Sequence, residues 1–298
     1  MQAKIVRKTF VLLIAVVGCF GLPAFARAQD EDESKAIKAE VFIKNRRATT
    51  KRTAGRYKPA AKATAATADT PPPGTNFEQV GITFWRFRPS TAADKTKELV
   101  EEEDGATEWT LERIEEGTLL LPGQRVRLSV ESLTRSGYLY IINREQYADG
   151  TLGDPVLIFP TLKTRDDNYA KAGRLIYIPS ATGKFRIKPS EGAKVHVGEL
   201  VTILVSDQPL IARDPLSTKA IKLPRQQVEG WEKKWGAKAT KFELDGGAGQ
   251  TMTEKEQSAG ANNSSDLTQE DPVPQTVYRL AVKPADAVIL SVALKFRR

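Results

Sequence analysis

Beyond Gly81, apolar and polar residues alternate with period two in a series of short runs, most of them closed by a turn residue. The first runs from Ile82 to Arg88 and stops at Pro89; the next are Trp109 to Ile114 and, after Pro122-Gly123, Arg125 to Val130. Tyr138 to Ile142 follows Ser136-Gly137, Pro155 to Phe159 is closed by Pro160, and Leu175 to Ile178, Lys184 to Ile187 and Leu200 to Val205 complete the central set. Successive side chains on a strand point to opposite faces of its sheet, so each run predicts a strand with one core face and one wet face. Short strands at intervals of about a dozen residues predict a mostly β chain, an antiparallel β-sandwich with Greek-key-like connections.

Other stretches interrupt that rhythm. Ala93 to Asp104 is acidic and reads as helical or irregular. Near 224–237 the spacing places Val228, Trp231 and Trp235 on one helical face, which predicts a helix covering a sheet; two tryptophans four apart serve packing there. Residues 246–272 are rich in Gly, Ser, Asn, Gln and acid, and read as a flexible loop. Thr276 to Val282 and Val288 to Phe296, joined through Pro284-Ala285-Asp286, read as a C-terminal hairpin. The expected division is residues 1–28 as a signal peptide, 29–75 as a basic, Ala/Thr/Pro-rich disordered tether, and 76–298 as the β-sandwich domain.

Lys4, Arg7 and Lys8, the apolar run from Phe10 to Leu22 and the ending Ala26-Arg27-Ala28 have the order of an export signal. The apolar run is shorter than the roughly 20 residues a helix needs to cross a bilayer. Cleavage between Ala28 and Gln29 gives a soluble periplasmic or secreted chain. Alternatively Val16-Val17-Gly18-Cys19, which resembles the lipobox of bacterial lipoproteins, makes Cys19 the lipid attachment point.

The formal charge of +8 suggests a polyanion partner, but Lys4, Arg7, Lys8 and Arg27 take half of it away with the signal. Ten cations between Lys35 and Lys62 face the single acid Glu40, so the remaining positive charge is concentrated in the tether. Screened attraction to anionic envelope surfaces fits that run. Ile37, Val41, Phe42 and Ile43 form a small apolar island able to add a strand or a docking segment. Nucleic acid does not fit, because beyond the apolar island Tyr57 is the lone aromatic in the run and gives no stacking platform.

The chain has one cysteine, within the signal, and one histidine, His196, between Val195 and Val197, where alternation turns it to solvent. Nucleophile–histidine triads and zinc sites lack their residues, so neither a catalytic residue, a metal nor a cofactor is expected. Carboxylate chemistry is the remaining enzymatic route, through Asp166 and Asp167 or across Asp149 and Asp154. Calcium is disfavoured by the absence of Asp-x-Asp-x-Asp-Gly spacing, and these loops read instead as turns.

Gly123-Gln124-Arg125-Val126-Arg127-Leu128 after Pro122, Gly137-Tyr138-Leu139-Tyr140 running to Asn143-Arg144, Ile158-Phe159-Pro160, Asp167-Asn168, Ala172-Gly173 and Ile178-Pro179 follow one another in a characteristic order. On these residues the stretch from about 81 to 210 resembles a bacterial family known as domain of unknown function 4384. Tyr147-Ala148-Asp149-Gly150 lengthens the family's loop after Asn143, and Ile158 stands where leucine is usual. The resemblance implies an extracytoplasmic or appended β-domain that accompanies kinase-like or caspase-like modules, and implies no reaction. The expectation is a non-enzymatic exported β-domain that binds or scaffolds an unknown protein or envelope polymer. Its binding surface is expected at the sheet edge and the loops, with Tyr138, Tyr140, Asn143, Asp149 and Asn168 as candidates. The competing class is a carboxylate-dependent hydrolase of envelope polysaccharide.

Overall fold

The computed structural model describes residues 35–36, 46–47 and 70–297, apart from 103–104, 163–167, 189–193, 213–215, 217–218 and 263–265. Cys19, the Ala28–Gln29 bond, the island from Ile37 to Ile43, and Asp166 and Asp167 lie outside the described residues. Those described fall within one compact unit, Glu33–Arg298.

Strand β2 (Asn76–Pro89) is the spine of the first sheet. Ile82 pairs with both Val130 and Thr276, and Phe84 with both Leu128 and Ile114. Strand β6 (Arg125–Ser132) therefore occupies one edge of β2, while β15 (Thr276–Val282) and β4 (Gly105–Ile114) follow each other along the other. Beyond these lie β14 (Ala239–Glu243) and β1 (Lys35–Ala36) on one flank, β3 (Glu98–Glu102) on β4, and β10 (Leu175–Ile178) and β11 (Phe185–Arg186) along β6.

The second sheet runs β13 (Ile221–Lys222), β8 (Val156–Phe159), β7 (Gly137–Tyr147), β12 (His196–Ser206), β16 (Val288–Phe296), β5 (Leu119–Leu120), with β9 (Tyr169–Ala170) beside β7. Pairing is antiparallel except for β1 on β14 and β5 on β16. The chain is a mostly β, antiparallel sandwich, and its connections cross between sheets as β6 to β7 does, in the expected Greek-key-like manner.

The alternation decides what meets inside. Val80, Ile82 and Phe84 of β2 and Val126, Leu128 and Val130 of β6 pack with Leu139 and Ile141 of β7 and Val201, Ile203 and Val205 of β12. Each such side chain contributes roughly 1.5–3 kcal/mol on burial. On the far face of the second sheet, α1 (Arg225–Trp235) lies where the helical spacing predicts, with Val228, Trp231 and Trp235 against Tyr140, Ile142, Leu204 and Ile289.

The outer face of the first sheet departs from the expected wet surface. Trp85, Phe87 and Leu111 are buried under Met252, Ala259 and Leu267, and every residue of β6 is buried. The stretch read as a flexible loop supplies this cover, through α2 (Glu254–Asn262). Its start is a capping box: the Thr253 backbone N–H donates to Glu256 Oε2 at 3.0 Å and the Glu256 N–H to Thr253 Oγ1 at 3.2 Å. Gly260 is required for docking, since a Cβ there would lie 1.6 Å from Cε2 of Tyr177.

Charges buried beneath that layer are paired. Arg113 donates to Glu256 and, at 2.7 Å, to the Val273 carbonyl. Arg127 pairs with Glu98 at 2.7 Å and lies over the rings of Phe87 and Tyr177.

Three more expectations change. The acidic stretch contains β3, because Glu98 to Glu102 pairs with β4 in a hairpin. The last two long strands do not form a hairpin: β15 finds β2 and β14 in the first sheet, while β16 lies between β12 and β5 in the second. The basic segment is docked at its described residues. Lys35–Ala36 pairs parallel with Phe242–Glu243, and Arg46 is buried, its Nε and Nη2 donating to the Glu131 carboxylate at 2.7 and 2.6 Å. Its Nη1 also donates to the carbonyls of Asp271 and Pro272 at 3.2 and 3.0 Å. A buried carboxylate requires a cation, and the tether read as solvated provides it.

Candidate functional site

At one end of the sandwich the two sheets part around a cavity of about 560 Å³, within the range of small-ligand sites. Its floor is apolar, from Phe84, Leu128, Ile158, Leu294 and Phe296. Its polar groups converge from two neighbouring strands, Asn143, Glu145 and Tyr147 of β7 and His196 and Glu199 of β12. Lys184 to Lys188, around β11, form the opposite rim.

Strand parity delivers these groups. Asn143, Glu145 and Tyr147 share the phase of Leu139 and Ile141, and Glu199 that of Val201, Ile203 and Val205, so the core faces continue into the cavity as polar side chains. Glu145 and Glu199 are register partners, as are Asn143 and Val201. His196 reaches the site through a register shift between His196 and Gly198, which changes the strand's phase. The expected solvent-facing histidine is thus a lining group. Its Nε2 is 3.2 Å from Glu199 Oε1, and its ring stands edge-on to Phe296 with centroids 5.0 Å apart.

Asn143 Nδ2 donates to Glu199 Oε2 at 2.7 Å, and the Tyr147 hydroxyl donates to Glu145. Burial pushes the Glu199 carboxyl above the usual carboxylate range, against the Asn143 hydrogen bond and the His196 charge; nearby Glu145 adds to the rise. The Tyr147 phenol is raised, first by its hydrogen bond to Glu145 and then by burial.

The raised acid makes a stability prediction. A folded-state pKa above the unfolded one means the folded protein holds the extra proton between the two values, so stability falls as pH rises through that interval. Glu199→Gln should therefore melt higher than the parent at about pH 8, with the difference vanishing at about pH 4, where both states carry the proton. Thermal unfolding followed by circular dichroism at the two pH values checks it; a difference independent of pH would refute it.

The other sequence candidates separate. Tyr140 is buried beneath α1, its hydroxyl accepting from the Leu210 N–H at 3.0 Å, so it is a packing residue and not part of a binding surface. Tyr138 lies on that same face and stacks edge-on with Tyr169 at 5.3 Å. Asn168 is buried as well, exchanging hydrogen bonds with the Leu139 backbone, its Nδ2 to the carbonyl at 2.9 Å. Asp149 is exposed and closes its own turn, accepting from Thr151 N and Oγ1 at 2.9 and 2.6 Å, which lowers its pKa. Asp154 is held down by Lys222 and Arg225. Asn143 alone of the five enters the cavity, and it does so from a strand, not a loop.

Glu145, Tyr147 and Glu199 were missed, although one signal was present. The alternation that places Val201 and Val205 inward assigns Glu199 to the same face, where an acid has no packing role. Among the described residues no cluster of three or more His, Cys, Asp or Glu has metal-site geometry. No helix among them is long and apolar enough to cross a membrane. Compared with protein-family models, curated proteins and solved structures, the chain matches none.

Proposed function

We propose that the protein is an exported, non-catalytic binding domain of the cell envelope whose recognition element is the mouth between its sheets. The observation that carries this reading is the convergence of five polar side chains over an apolar floor in one open cavity. A sandwich gains no stability from two acids paired across neighbouring strands, since like charges opposite each other on a sheet oppose folding. The N-terminal export pattern supports action outside the cytoplasm, with Ala28–Gln29 as the cleavage point and lipidated Cys19 as the alternative end. The likeness of residues 81–210 to a β-domain that accompanies catalytic modules supports an accessory role. Arg46 pairs with Glu131, and the cation-rich composition of the run from Lys35 to Lys62 suits attraction to anionic surfaces.

The competing hydrolase reading draws on Glu145 opposite Glu199, a carboxylate pair better placed in a cavity than Asp149 and Asp154. Fractionated envelope extract titrated into isotope-labelled protein tests both. The expected outcome is a component that shifts the resonances of Phe185, His196 and Phe296 and is recovered chemically unchanged. Extract that leaves those resonances unmoved would overturn the proposal, as would glycan turnover that disappears in Glu199→Gln.

A further inference from the structure

We propose that the mouth recognises a primary ammonium group carried on a small apolar body; the assignment rests on the binding reading above and specifies its ligand. Glu145 and Glu199 sit directly across from each other on β7 and β12, so their carboxylates project side by side over the floor. Two like charges at a cross-strand pair repel, and a bound cation between them relieves that repulsion. Asn143 holds one oxygen of Glu199 and His196 stands 3.2 Å from the other, while Tyr147 holds Glu145, so both carboxylates are fixed in place beside the cavity.

On β11 and its flanks Phe185 and Ile187 pack on the core, and Lys184, Arg186 and Lys188 line the rim opposite the two acids, so a ligand's ammonium end is drawn to the β7–β12 side of the mouth. The aromatic groups give independent support. The chain already places an ammonium here, since Lys194 Nζ lies 5.1 Å from the Tyr147 ring centroid at the mouth's border. Tyr147 and His196, with ring centroids 6.2 Å apart, stand beside the acids, and Phe296 closes the floor behind His196. Carboxylates, an aromatic flank and an apolar floor together select a charged NH3 group on an apolar stem, the end presented both by an alkylamine and by a peptide whose first residue is apolar.

Calorimetric titration of the full exported chain with four probes tests the assignment: hexylammonium, leucyl-alaninamide, 1-hexanol and hexanoate. At least one ammonium probe should bind about tenfold or more tightly than 1-hexanol, with hexanoate weakest, as expected for loss of a charge-assisted hydrogen bond. Glu199→Gln should remove that advantage while leaving 1-hexanol binding unchanged, and an unaltered melting profile near pH 4 reports that the variant is folded. Which ammonium probe binds distinguishes the alkylamine source from the peptide source. Hexanoate or 1-hexanol binding as tightly would overturn the ammonium assignment and leave the binding reading standing. Absence of binding by both ammonium probes would overturn it too; if envelope extract also left the mouth resonances unmoved, the binding reading would fall with it.

Discussion

Replacing Glu256 by alanine should destabilise the fold by about 3–5 kcal/mol, the usual consequence of stranding one charge of a buried pair. Arg113 is buried, and besides Glu256 it is satisfied by the Val273 carbonyl. The substitution also removes the carboxylate that accepts from the Thr253 N–H and hydroxyl, half of the capping box, and so weakens the start of α2. The Tyr177 hydroxyl donates to the backbone carbonyl of Glu256 at 2.9 Å, a bond the substitution leaves in place, so the helix keeps one anchor near Trp85 and Leu111. For a chain of this size the melting point should drop by roughly 10 °C. Exchanging both partners for apolar residues, Arg113→Met with Glu256→Leu, should recover most of the loss, because neither charge is then stranded. Denaturant melts of the single and double variants decide the matter; a single-variant loss below about 1 kcal/mol would mean that the pair is not buried in solution.

Arg46→Ala should have an effect of similar size, about 3–5 kcal/mol, although the residue lies in the segment whose composition reads as tether. Glu131 is fully buried, and Arg46 is its ion-pair partner at 2.6 Å. The variant should also release the arm, so that trypsin removes the lysine- and arginine-rich stretch from 35 to 62 faster than in the parent while the sandwich resists. Truncation to residue 70 should match Arg46→Ala in stability. An Arg46→Ala protein that melts with the parent would return the segment to the status of a solvated linker.

These two pairs explain what was legible in the sequence. Period two announced β2, β4, β6, β7, β12, β15 and β16, and helical spacing announced α1, because each buries a regular stripe against a neighbour. What periodicity does not report is whether a polar stripe meets water. On β6, Arg125, Arg127, Ser129 and Glu131 alternate with valine and leucine as on an exposed face, yet all are buried: Glu98 pairs with Arg127, Arg46 pairs with Glu131 from 85 positions away, and Glu256 pairs with Arg113 of neighbouring β4 from 143 positions away. The signal for the covering helix was there, as Thr253 and Glu256 in capping-box spacing, but it was submerged in a loop-like composition. The hairpin failed for another reason: a short turn is compatible both with pairing two strands and with arching them between sheets, and the choice belongs to β2 and β12, far away in sequence.

The site divides in the same way. Asn143 and Glu199 could be placed inward by parity, whereas His196 could not, because a single extra residue in β12 inverts the phase upstream of it. The single histidine and single cysteine are readable before any fold, and they leave triad and zinc chemistry without their usual residues. The ligand chemistry was not readable, because it arises from two acids that face each other only after β7 and β12 pair.

Leu294 and Phe296, which help to line the cavity, belong to β16, the last strand in chain order among the described residues. A nascent or truncated chain ending before Leu294 would lack part of the cavity floor and would leave the long edge of β12 without its partner. Ligand capture should accordingly require β16 in place, and chains cut before it should be recognised by their open edge as substrates for chaperones or proteases.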